Sequence, residues 1–506
     1  MKLEVLLRNI DILNVNGDTG GTVADICYDS RKCGTDSLFV AIGGLKADGH
    51  DFIANAVANG ARYIVHEKEV SQRAGLTYIR VANSRRALGR LGRNFYRNPT
   101  SELCLVGVTG TNGKTTVTYL LEEILRAAGC RVGVVGTVNY RYNGTLMPST
   151  ITTPESVDLQ QIFRDMADAG VTHVVMEVSS HALDLARVDE CQFDIGIFTN
   201  LSQDHLDYHH TLENYFVAKK RFFLEILGGE RVMIVNRDDP WGAKLLDGSS
   251  RQAVSFAIDR AADIAVDSFD LSTGGLRAAV QTRAGRFSVS SPLIGKFNLY
   301  NILAAVAAAV ALDIPEAVIR RGIESLGSVP GRLEKVSGAG EPAVFVDYAH
   351  TDDALKNVLL NLSEFKTRRI ITVFGCGGDR DRGKRPLMGN IAARLSDLAI
   401  ITSDNPRTEN PLTIIDEIEE GIIPVSLRKY RREELSHDLE ERGYSVIPDR
   451  EDAITEAILI ADSADIVLVA GKGHEDYQII GTTRISFDDS VVAKEALRKR
   501  AAGERT

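Results

Sequence analysis

The chain has 506 residues, of which 44% are hydrophobic and 25% are charged, a composition typical of a globular protein with room for about three domains. It carries 59 Lys and Arg residues against 69 Asp and Glu residues, giving a net charge of −10 at pH 7. This balance does not favour nucleic acid as a partner. The N-terminal 14 residues interrupt their apolar positions with charge, and the longest apolar run, residues 302–312, is too short to span a bilayer. We therefore expect a cytoplasmic protein without membrane insertion.

The six cysteines lie far apart in the sequence and form no C-x-x-C pair. This spacing favours neither a disulfide framework nor a zinc site. We expect all six to be reduced: Cys27, Cys33, Cys104, Cys130, Cys191 and Cys376.

Residues 106–116, VGVTGTNGKTT, form the strongest local pattern, an apolar strand that breaks into a glycine-bearing loop and then a helix. Gly110 and Gly113 allow a turn that aims several backbone N–H groups at one anion. Lys114 adds a positive charge, and Thr115 offers a hydroxyl to a magnesium ion. Apolar residues at helical spacing follow as far as Gly129, which is placed to end the helix. The pattern predicts a phosphate-binding loop, with a chance glycine-rich turn as the alternative.

Residues 1–98 have the pattern of a small α/β domain, with strands at 37–42 and 63–65 and a helix at 52–59. The loops at 28–31 and 43–49 flank the first of these strands, and their residues alone indicate only connecting loops. The segment 97–100, Arg-Asn-Pro-Thr, breaks regular structure. We therefore place a domain boundary after residue 98.

Residues 99–331 alternate strands with helices, with strands predicted at 103–108, 132–138, 173–178, 194–199 and 232–236. Such alternation indicates a parallel sheet with helices on both faces. Between about 254 and 296, short alternating segments separated by glycine turns predict an antiparallel β appendage. The nearly apolar helix that follows residue 295 is predicted to be buried.

Two polar groups of this central domain follow predicted strands. Glu177 lies at the end of the strand at 173–178, and His205 lies just beyond the strand at 194–199. Ligands of parallel sheets gather at the carboxyl ends of strands, so we predict that both side chains contact magnesium, with a buried ion pair as the alternative. The residues alone would not single out Lys219, which could equally be an exposed helical lysine.

Residues 332–506 form a second alternating block, with strands predicted at 344–346, 370–374, 398–402 and 466–469. Each strand is followed by a loop rich in charge or glycine. The Gly375-Cys376-Gly377 turn does not indicate a nicotinamide site, because Arg380 occupies the position of the third glycine. The cluster at 379–382, Asp-Arg-Asp-Arg, fits either a contact surface for anions and amines or a solvated run of charge.

Five segments occur in an order that resembles the Mur ligase family over the whole chain: TGTNGKTT at 109–116, EVSSH at 177–181, DHLD at 204–207, DYAH at 347–350 and GKGHE at 471–475. The resemblance is to the members that add the third residue of the peptidoglycan stem peptide. It implies an α/β protein with three domains: a small uridine-nucleotide domain at 1–98, a central P-loop ATPase domain at 99–331 and a Rossmann-like domain at 332–506 that binds the amino acid.

The resemblance also implies the chemistry. ATP would convert the D-Glu γ-carboxylate of UDP-MurNAc-L-Ala-D-Glu into an acyl phosphate, and an amine would then displace phosphate, leaving ADP and phosphate. Mg²⁺ would be held by Thr115, Glu177, His205 and Lys219. In relatives the matching lysine is carbamylated (N6-carboxylysine), which converts a cation into an anionic oxygen ligand. Lys114 would hold phosphate.

The remaining binding residues are also carried over from the resemblance. For ATP they are Gly110, Thr111, Asn112, Gly113, Lys114, Thr115, Thr116, Asn298, Asn301, Arg332, Asp347 and His350. For the sugar nucleotide and its dipeptide they are Tyr28, Ser30, Leu45, Lys46, Ala47, Thr152, Thr153, Ser179, Leu185 and Arg187. Leu185 stands where some relatives carry a polar residue.

The choice of amino acid is predicted to depend on the segment Asp404-Asn405-Pro406-Arg407. In the family, an arginine at the last position accompanies meso-diaminopimelate, whose second carboxylate a guanidinium can bind bidentately. Arg380, Gly471 and Glu475 match the other contacts to this amino acid, and Glu475 suits its distal ammonium. A lysine-adding or D-Ala-D-Ala-adding ligase is an alternative, as is a P-loop switch protein without amide chemistry. We expect a monomer that acts on small molecules.

Overall fold

The computed structural model describes residues 1–44, 47–249, 253–439 and 441–503. The chain divides into two compact units. The first contains Met1–Val266, Val280–Phe287 and Tyr300–Ile323, and the second contains Asp267–Ala279, Ser288–Leu299 and Glu324–Thr506. Both units are mixed α/β structures, which confirms the predicted fold class. The two boundaries between the three proposed domains stay a prediction.

A five-stranded sheet opens the first unit. Its strands are β1 (Ile12–Asn16), β2 (Ile26–Cys27), β3 (Ser37–Val40), β4 (Ala61–His66) and β5 (Thr77–Val81), in the order β1-β5-β4-β3-β2. Only β1 runs antiparallel to its neighbour among these pairs. The helices are α1 (Leu3–Leu6), α2 (Ile53–Ala58) and α3 (Ser84–Phe95). The predicted strands at 37–42 and 63–65 and the helix at 52–59 are therefore present, with shifted ends.

The expectation of six reduced cysteines is wrong for one pair. Cys27 and Cys33 form a disulfide, with their Cα atoms 5.9 Å apart. Cys27 ends β2, and a 3-10 turn at Ser30–Lys32 brings the chain back to Cys33. A local turn thus joins two cysteines six residues apart, a spacing outside the C-x-x-C pattern. The other four cysteines are free.

The central sheet of the first unit has eight strands in the order β13-β12-β11-β6-β10-β7-β8-β9. They are β6 (Cys104–Thr109), β7 (Val132–Val135), β8 (Asn139–Tyr142), β9 (Thr145–Pro148), β10 (His173–Glu177), β11 (Ile195–Phe198), β12 (Val232–Asn236) and β13 (Ala253–Phe256). All five predicted strands are confirmed, and the six strands from β13 to β7 in this order pair in parallel. The β8–β9 hairpin was not predicted.

The strands of this sheet are buried because helices pack on it. Their continuous runs of Val and Ile are typical of strands covered on both faces. The helices are α4 (Lys114–Ala127), α5 (Ser156–Asp168), α6 (Ser180–Asp184), α7 (Leu206–His209), α8 (Leu212–Arg221) and α9 (Pro240–Asp247). Helix α4 ends as predicted, with Gly129 in the left-handed region at φ 82°.

A three-stranded sheet follows, formed by β14 (Ala265–Ser272), β15 (Gly275–Thr282) and β16 (Gly285–Ser291). Its two-residue connections are those of antiparallel hairpins, so the predicted appendage is present. One part of that prediction is wrong, because the segment near residue 254 forms β13 and pairs in parallel with β12. Helices α10 (Lys296–Ala311) and α11 (Glu316–Ser325) come next, and the apolar α10 is buried as expected from residue 302 to residue 309.

The second unit contains a seven-stranded sheet in the order β17-β18-β23-β19-β20-β22-β21. The strands are β17 (Glu334–Lys335), β18 (Ala343–Asp347), β19 (Ile370–Phe374), β20 (Leu398–Ile401), β21 (Arg428–Tyr430), β22 (Gly443–Val446) and β23 (Ile466–Ala470), followed by a hairpin of β24 (Tyr477–Ile480) and β25 (Thr483–Ser486). The helices are α12 (Asp352–Ser363), α13 (Lys384–Leu395), α14 (Pro411–Ile422), α15 (Arg450–Leu459) and α16 (Asp489–Ala502). The four predicted strands are confirmed as β18, β19, β20 and β23.

Within the described ranges, the chain contains no helix whose length and apolar content would let it cross a lipid bilayer.

Candidate active site

The predicted phosphate-binding loop connects β6 to α4. Gly110 and Gly113 take positive φ values of 148° and 88°, a conformation that L side chains rarely adopt. A Cβ on Gly110 would lie 1.9 Å from Thr199 Oγ1, and one on Gly113 would lie 2.3 Å from Asn301 Oδ1. The loop is fastened to the end of β11, because Thr111 N donates to Asn200 O (2.9 Å). The two glycines therefore let the backbone turn tightly at the amino end of α4, where a helix favours an anion.

A buried carboxylate faces the first turn of α4. Thr115 Oγ1 donates to Glu177, lying 3.1 Å from each carboxylate oxygen. Thr137 N (2.8 Å) and Thr137 Oγ1 (3.0 Å) donate to the same carboxylate. Glu177 is 1% exposed, so these donors replace the water that its charge would otherwise need. The structure thus brings together Thr115 and Glu177, as predicted, and adds Thr137, which the sequence reasoning missed.

Lys219 lies on α8 and is buried, so the alternative of an exposed helical lysine is wrong. Its Nζ donates to Gly110 O (2.9 Å) and lies 4.5 Å from the centroid of the Tyr215 ring. Lys114 Nζ donates to the same carbonyl at 3.0 Å. Burial, followed by repulsion from Lys114, holds the pKa of Lys219 well below its usual value, although Asp204 opposes the shift. A lowered pKa favours the uncharged amine, which is the form that can react with carbon dioxide.

His205 begins α7 in the left-handed conformation, at φ 54°. Its Nε2 lies 3.5 Å from Asp204 Oδ2, and its ring packs edge-on against His181 with centroids 4.8 Å apart. Burial lowers the pKa of His205 to about 4, against the opposing charge of Asp204. His205 is therefore neutral at pH 7, with a nitrogen lone pair available to a metal or to water.

The donors at the loop suit magnesium. The described residues include no group of three or more His, Cys, Asp or Glu side chains that could hold a metal ion. Mg²⁺ does not need such a cage, because it binds one or two carboxylates and keeps substrate phosphates and water as its other ligands. The Thr115 hydroxyl and the Glu177 carboxylate supply such oxygen donors 3.1 Å apart. The residues present therefore fit Mg²⁺ together with nucleotide phosphate.

The predicted dipeptide-binding residues adjoin Glu177. Thr152 Oγ1 lies 3.1 Å from Thr137 Oγ1, and Thr153 Oγ1 donates to Glu177 O (2.8 Å). Thr153 Oγ1 also accepts from Ser179 N (3.1 Å). Thr153 and Ser179 therefore join this network through the Glu177 backbone carbonyl, whereas Thr152 joins it through Thr137 and the Glu177 carboxylate.

A group of two arginines and one carboxylate lies beside this network. Arg187 donates to Glu155 Oε2 (3.2 Å) and to Thr153 O (3.1 Å). Arg85 on α3 pairs with the same Glu155 oxygen at 3.3 Å and donates to Gly43 O at 2.7 Å. Leu185 caps the end of α6 and shows no polar role. Glu155 and Arg85 were missed because their partners lie 32 and 42 or more residues away in the sequence.

The predicted uridine-nucleotide residues lie in the N-terminal sheet region. Tyr28 Oη donates to Asp158 Oδ2 (2.5 Å), and Ser30 is buried at the start of the 3-10 turn. Ala47 O accepts from Gly44 N (2.9 Å). Leu45 and Lys46 lie outside the described residues.

Several residues predicted to bind ATP belong to the second unit. The Arg332 guanidinium lies over the Tyr348 ring, 4.9 Å from its centroid. Burial raises the pKa of Asp347 to about 6, although Arg332 and two backbone N–H donors oppose the shift. His350 Nδ1 lies 2.8 Å from Tyr348 O, and Asn298 Nδ2 donates to Ile294 O (2.8 Å). Their contact with nucleotide stays a prediction.

The residues predicted to bind the amino acid lie in the loops after β19, β20 and β23. Gly378 N donates to Asn405 O (2.9 Å), and Arg407 Nη1 donates to Gly378 O (2.8 Å). Within the described chain this is the only hydrogen bond of the Arg407 guanidinium. Arg380 is exposed, while Glu475 Oε2 accepts from Asn405 Nδ2 (2.9 Å).

The neighbouring charge cluster at 379–382 is exposed, and its role as a contact surface for anions and amines stays a prediction. The Arg382 guanidinium pairs with Glu417, and Asp379 accepts from Thr408 Oγ1 (2.8 Å). These contacts hold the loop in place and leave Arg380 to face solvent. Arg385, fully buried and missed by the sequence reasoning, pairs with both Glu409 (2.8 Å) and Glu417 (2.7 Å) beneath them.

The fold and these sites define a class of protein: an α/β enzyme with a P-loop at the head of a parallel sheet and a second, charge-lined α/β sheet. Family comparisons agree with that class. Residues 22–96 match the family described as "Mur ligase family, catalytic domain", residues 108–309 match "Mur ligase middle domain", and residues 331–473 match "Mur ligase, glutamate ligase domain".

Individual relatives cover the whole chain. The UDP-N-acetylmuramoyl-L-alanyl-D-glutamate--2,6-diaminopimelate ligase of Geobacter sulfurreducens is 48% identical, with 100% of each chain covered. A solved structure of a protein of that same name is 32% identical and covers 100% of each chain, with a TM-score of 0.69. The MurF ligase of Thermotoga maritima in complex with ADP is 20% identical and shares the fold, with a TM-score of 0.61 over 94% of this chain and 96% of its own. The chain belongs to the Mur ligase family.

Proposed function

We propose that this chain is an ATP-dependent ligase that joins meso-2,6-diaminopimelate to the D-Glu residue of UDP-MurNAc-L-Ala-D-Glu, a step of peptidoglycan precursor synthesis. The observation that carries the proposal is the presence of a cation, Arg407, in the loop after β20 and of an anion, Glu475, in the loop after β23. Arg407 keeps free donors there, and both Arg407 and Glu475 lie close enough to Tyr477 to affect its pKa. An amino acid whose distal end bears both a carboxylate and an ammonium would satisfy both groups.

The activation step is assigned to the P-loop. The Gly110–Thr116 backbone and Lys114 would hold the ATP phosphates, while Thr115 and Glu177 would hold Mg²⁺, with His205 as a further contact. Mg²⁺ supplies charge neutralisation for phosphoryl transfer. The D-Glu γ-carboxylate attacks the γ-phosphorus, the bond to the ADP oxygen breaks, and an acyl phosphate results. The amino group of diaminopimelate then attacks the acyl carbon and expels phosphate.

Lys219 is assigned a structural part in that activation step. In its uncharged form the amine would add to carbon dioxide and lose a proton, giving an anionic carbamate. Burial and the short contact with Gly110 O support this assignment, since a second ammonium beside Lys114 is costly there. The carbamate would hold Mg²⁺ together with Glu177.

The sugar nucleotide is assigned to the remaining predicted residues of the first unit. Tyr28, Ser30 and Ala47, together with Leu45 and Lys46, would bind the uridine diphosphate. Thr152, Thr153, Ser179 and Arg187 would bind the muramoyl dipeptide. The hydrogen bond from Thr153 Oγ1 to the Glu177 backbone carbonyl supports placing the D-Glu carboxylate beside the site of phosphoryl transfer.

A comparison of three amine substrates tests the proposal. Phosphate release is measured with ATP, Mg²⁺ and UDP-MurNAc-L-Ala-D-Glu, and the amine is meso-diaminopimelate, L-lysine or D-Ala-D-Ala. We expect release, and a product of the mass of the tripeptide, with diaminopimelate at a kcat/KM at least about tenfold above that with L-lysine, the value of one charge-assisted contact. A preference for L-lysine would refute the choice of amine. Nucleotide binding without amine-dependent release would instead favour a switch protein.

A further inference from the structure

Lys472 is a buried cation to which the proposed function gives no role. It lies in the loop after β23, and its side chain is 0% exposed. Lysine is among the residues least often fully buried, and a buried ammonium requires partners. The groups around the Lys472 ammonium therefore indicate which part of the site it stabilises.

The partners of Lys472 are the acidic and amide groups of the amino-acid site. Its Nζ lies 3.2 Å from Glu475 Oε2, 3.4 Å from Asn405 Oδ1 and 3.7 Å from Asp404 Oδ1. Asn405 Nδ2 donates to the same Glu475 oxygen at 2.9 Å. Lys472, Asn405 and Glu475 thus form a closed triangle that joins the loop after β20 to the loop after β23.

The triangle is also hydrogen-bonded to the segment that positions the backbone of Arg407. Asn405 Oδ1 accepts from Ile479 N (2.9 Å), and Arg407 N donates to Ile479 O (3.0 Å). A displacement of Asn405 would therefore move β24 and, with it, the backbone of Arg407. The ammonium of Lys472 is connected in this way to both of the charged groups proposed to recognise diaminopimelate.

Lys472 also offsets part of the negative charge of the neighbouring carboxylates. Asp404 and Glu475 carry two negative charges, and Lys472 reduces their sum to −1. Asp404 Oδ1 is buried and accepts no hydrogen bond from the described chain, so the ion pair with Lys472 offsets its charge directly. Arg450 is also buried nearby, but its guanidinium is engaged by both oxygens of Asp489 at 2.7 Å. Lys472 thus leaves one negative charge on the Asp404–Glu475 pair, in which Glu475 is the carboxylate proposed to meet the incoming ammonium group.

We propose that Lys472 is a positioning residue for the amino-acid substrate: it fixes Glu475 and Asn405 and leaves the cluster with one uncompensated negative charge for the substrate's distal ammonium. This inference rests on the proposed function. Lys472 does not itself touch the reacting atoms, so its loss raises the KM for the amine while the KM for ATP is unchanged.

The test compares Lys472→Met with Lys429→Met, which removes an exposed lysine that pairs with Glu419 in the same unit. Steady-state phosphate release gives KM for diaminopimelate, ATP and the sugar nucleotide, and thermal melting reports folding. We expect the KM for diaminopimelate to rise about thirtyfold or more in Lys472→Met, as for the loss of one partner of a buried charge pair. The other two KM values should stay within about twofold of those of the unmodified enzyme, and Lys429→Met should change none of them.

A double variant separates charge balance from simple structural damage. Lys472→Met combined with Asp404→Asn again leaves one negative charge, so we expect it to recover at least about threefold of the lost affinity for diaminopimelate. A variant that lost only packing would gain nothing from the second substitution.

Three results would overturn the proposal: an unchanged KM for diaminopimelate in folded Lys472→Met, an equal rise in all three KM values, or a fall in kcat alone. If Lys472→Met does not fold, Lys472→Gln, which keeps a donor without the charge, decides the question. Unfolding of both variants would assign Lys472 to the fold alone. Should the unmodified enzyme use L-lysine rather than diaminopimelate, the proposed function fails but the same comparison is made with L-lysine.

Discussion

The hydroxyl of Thr137 is predicted to contribute to catalysis through Glu177. In the substitution Thr137→Val the backbone N–H still donates to Glu177 Oε1 at 2.8 Å, and Thr115 still donates to both oxygens. What disappears is the 3.0 Å hydrogen bond from Thr137 Oγ1 to Oε2, together with the 3.1 Å contact between Thr137 Oγ1 and Thr152 Oγ1. One carboxylate oxygen thus loses a donor while the side chain keeps its volume.

The size of this effect follows from the charge of the acceptor. A hydrogen bond to a charged group contributes about 1.5–3 kcal/mol, which corresponds to roughly 10- to 150-fold in an equilibrium or rate constant. Because two other donors remain, we expect the lower end, about a tenfold fall in kcat/KM for ATP and a higher Mg²⁺ concentration at half-maximal rate.

The assay is phosphate release titrated with Mg²⁺ at saturating sugar nucleotide and amine. Thr137→Ser keeps the hydroxyl and should retain most of the activity, whereas Thr145→Val, at an exposed position of β9, should change nothing. If Thr137→Val matches the unmodified enzyme at every Mg²⁺ concentration, the reasoning that Glu177 needs this donor is refuted.

Three further predictions concern other parts of the molecule. Arg407→Ala and Arg407→Lys should lower kcat/KM for diaminopimelate about tenfold or more, since a carboxylate contact is lost, with little change in the Kd for ATP; equal losses of both would contradict the assignment. Lys219→Ala should be nearly inactive, and a small carboxylate such as formate should restore part of the activity; full activity without it would exclude a carbamate. Arg385 lowers the pKa of Glu409 to about 2 from its usual 4.5. That ion pair stabilises the fold above pH 4.5 and is lost as the pH falls towards 2, so the Tm of Glu409→Gln should depend less on pH in this window than that of the unmodified protein.

The parallel strands of both units were predictable because their continuous apolar runs, bounded by polar loops, reflect burial on both faces. The strand-end rule also located Glu177 and the loops that contain Asp404 and Glu475, since parallel strands deliver their following loops to one edge of the sheet. The β8–β9 hairpin could have been found as well. Its turn, Asn143-Gly144, has φ values of 47° and 80°, the signal of a type I′ hairpin.

Other features depend on tertiary packing and leave no local signal. Lys219 is followed by two more cations, Lys220 and Arg221. Although Tyr215 and Phe216 lie one turn before it on the same helix face, only the packing of α8 beside the P-loop shows that Lys219 is buried with them. Thr137 follows a strand that proved shorter than predicted, ending at Val135. Lys472 lies in a glycine-rich loop, where a lysine is ordinarily exposed. The Cys27–Cys33 disulfide required knowledge of the 3-10 turn between its cysteines.

The central claim is that the P-loop energises the D-Glu γ-carboxylate as an acyl phosphate that the amine then captures. It is tested most directly with UDP-MurNAc-L-Ala-D-Glu labelled with ¹⁸O in that carboxylate, incubated with ATP, Mg²⁺ and meso-diaminopimelate. One labelled oxygen should appear in the released phosphate for each amide bond formed. Amide formation that leaves the phosphate unlabelled would contradict the account.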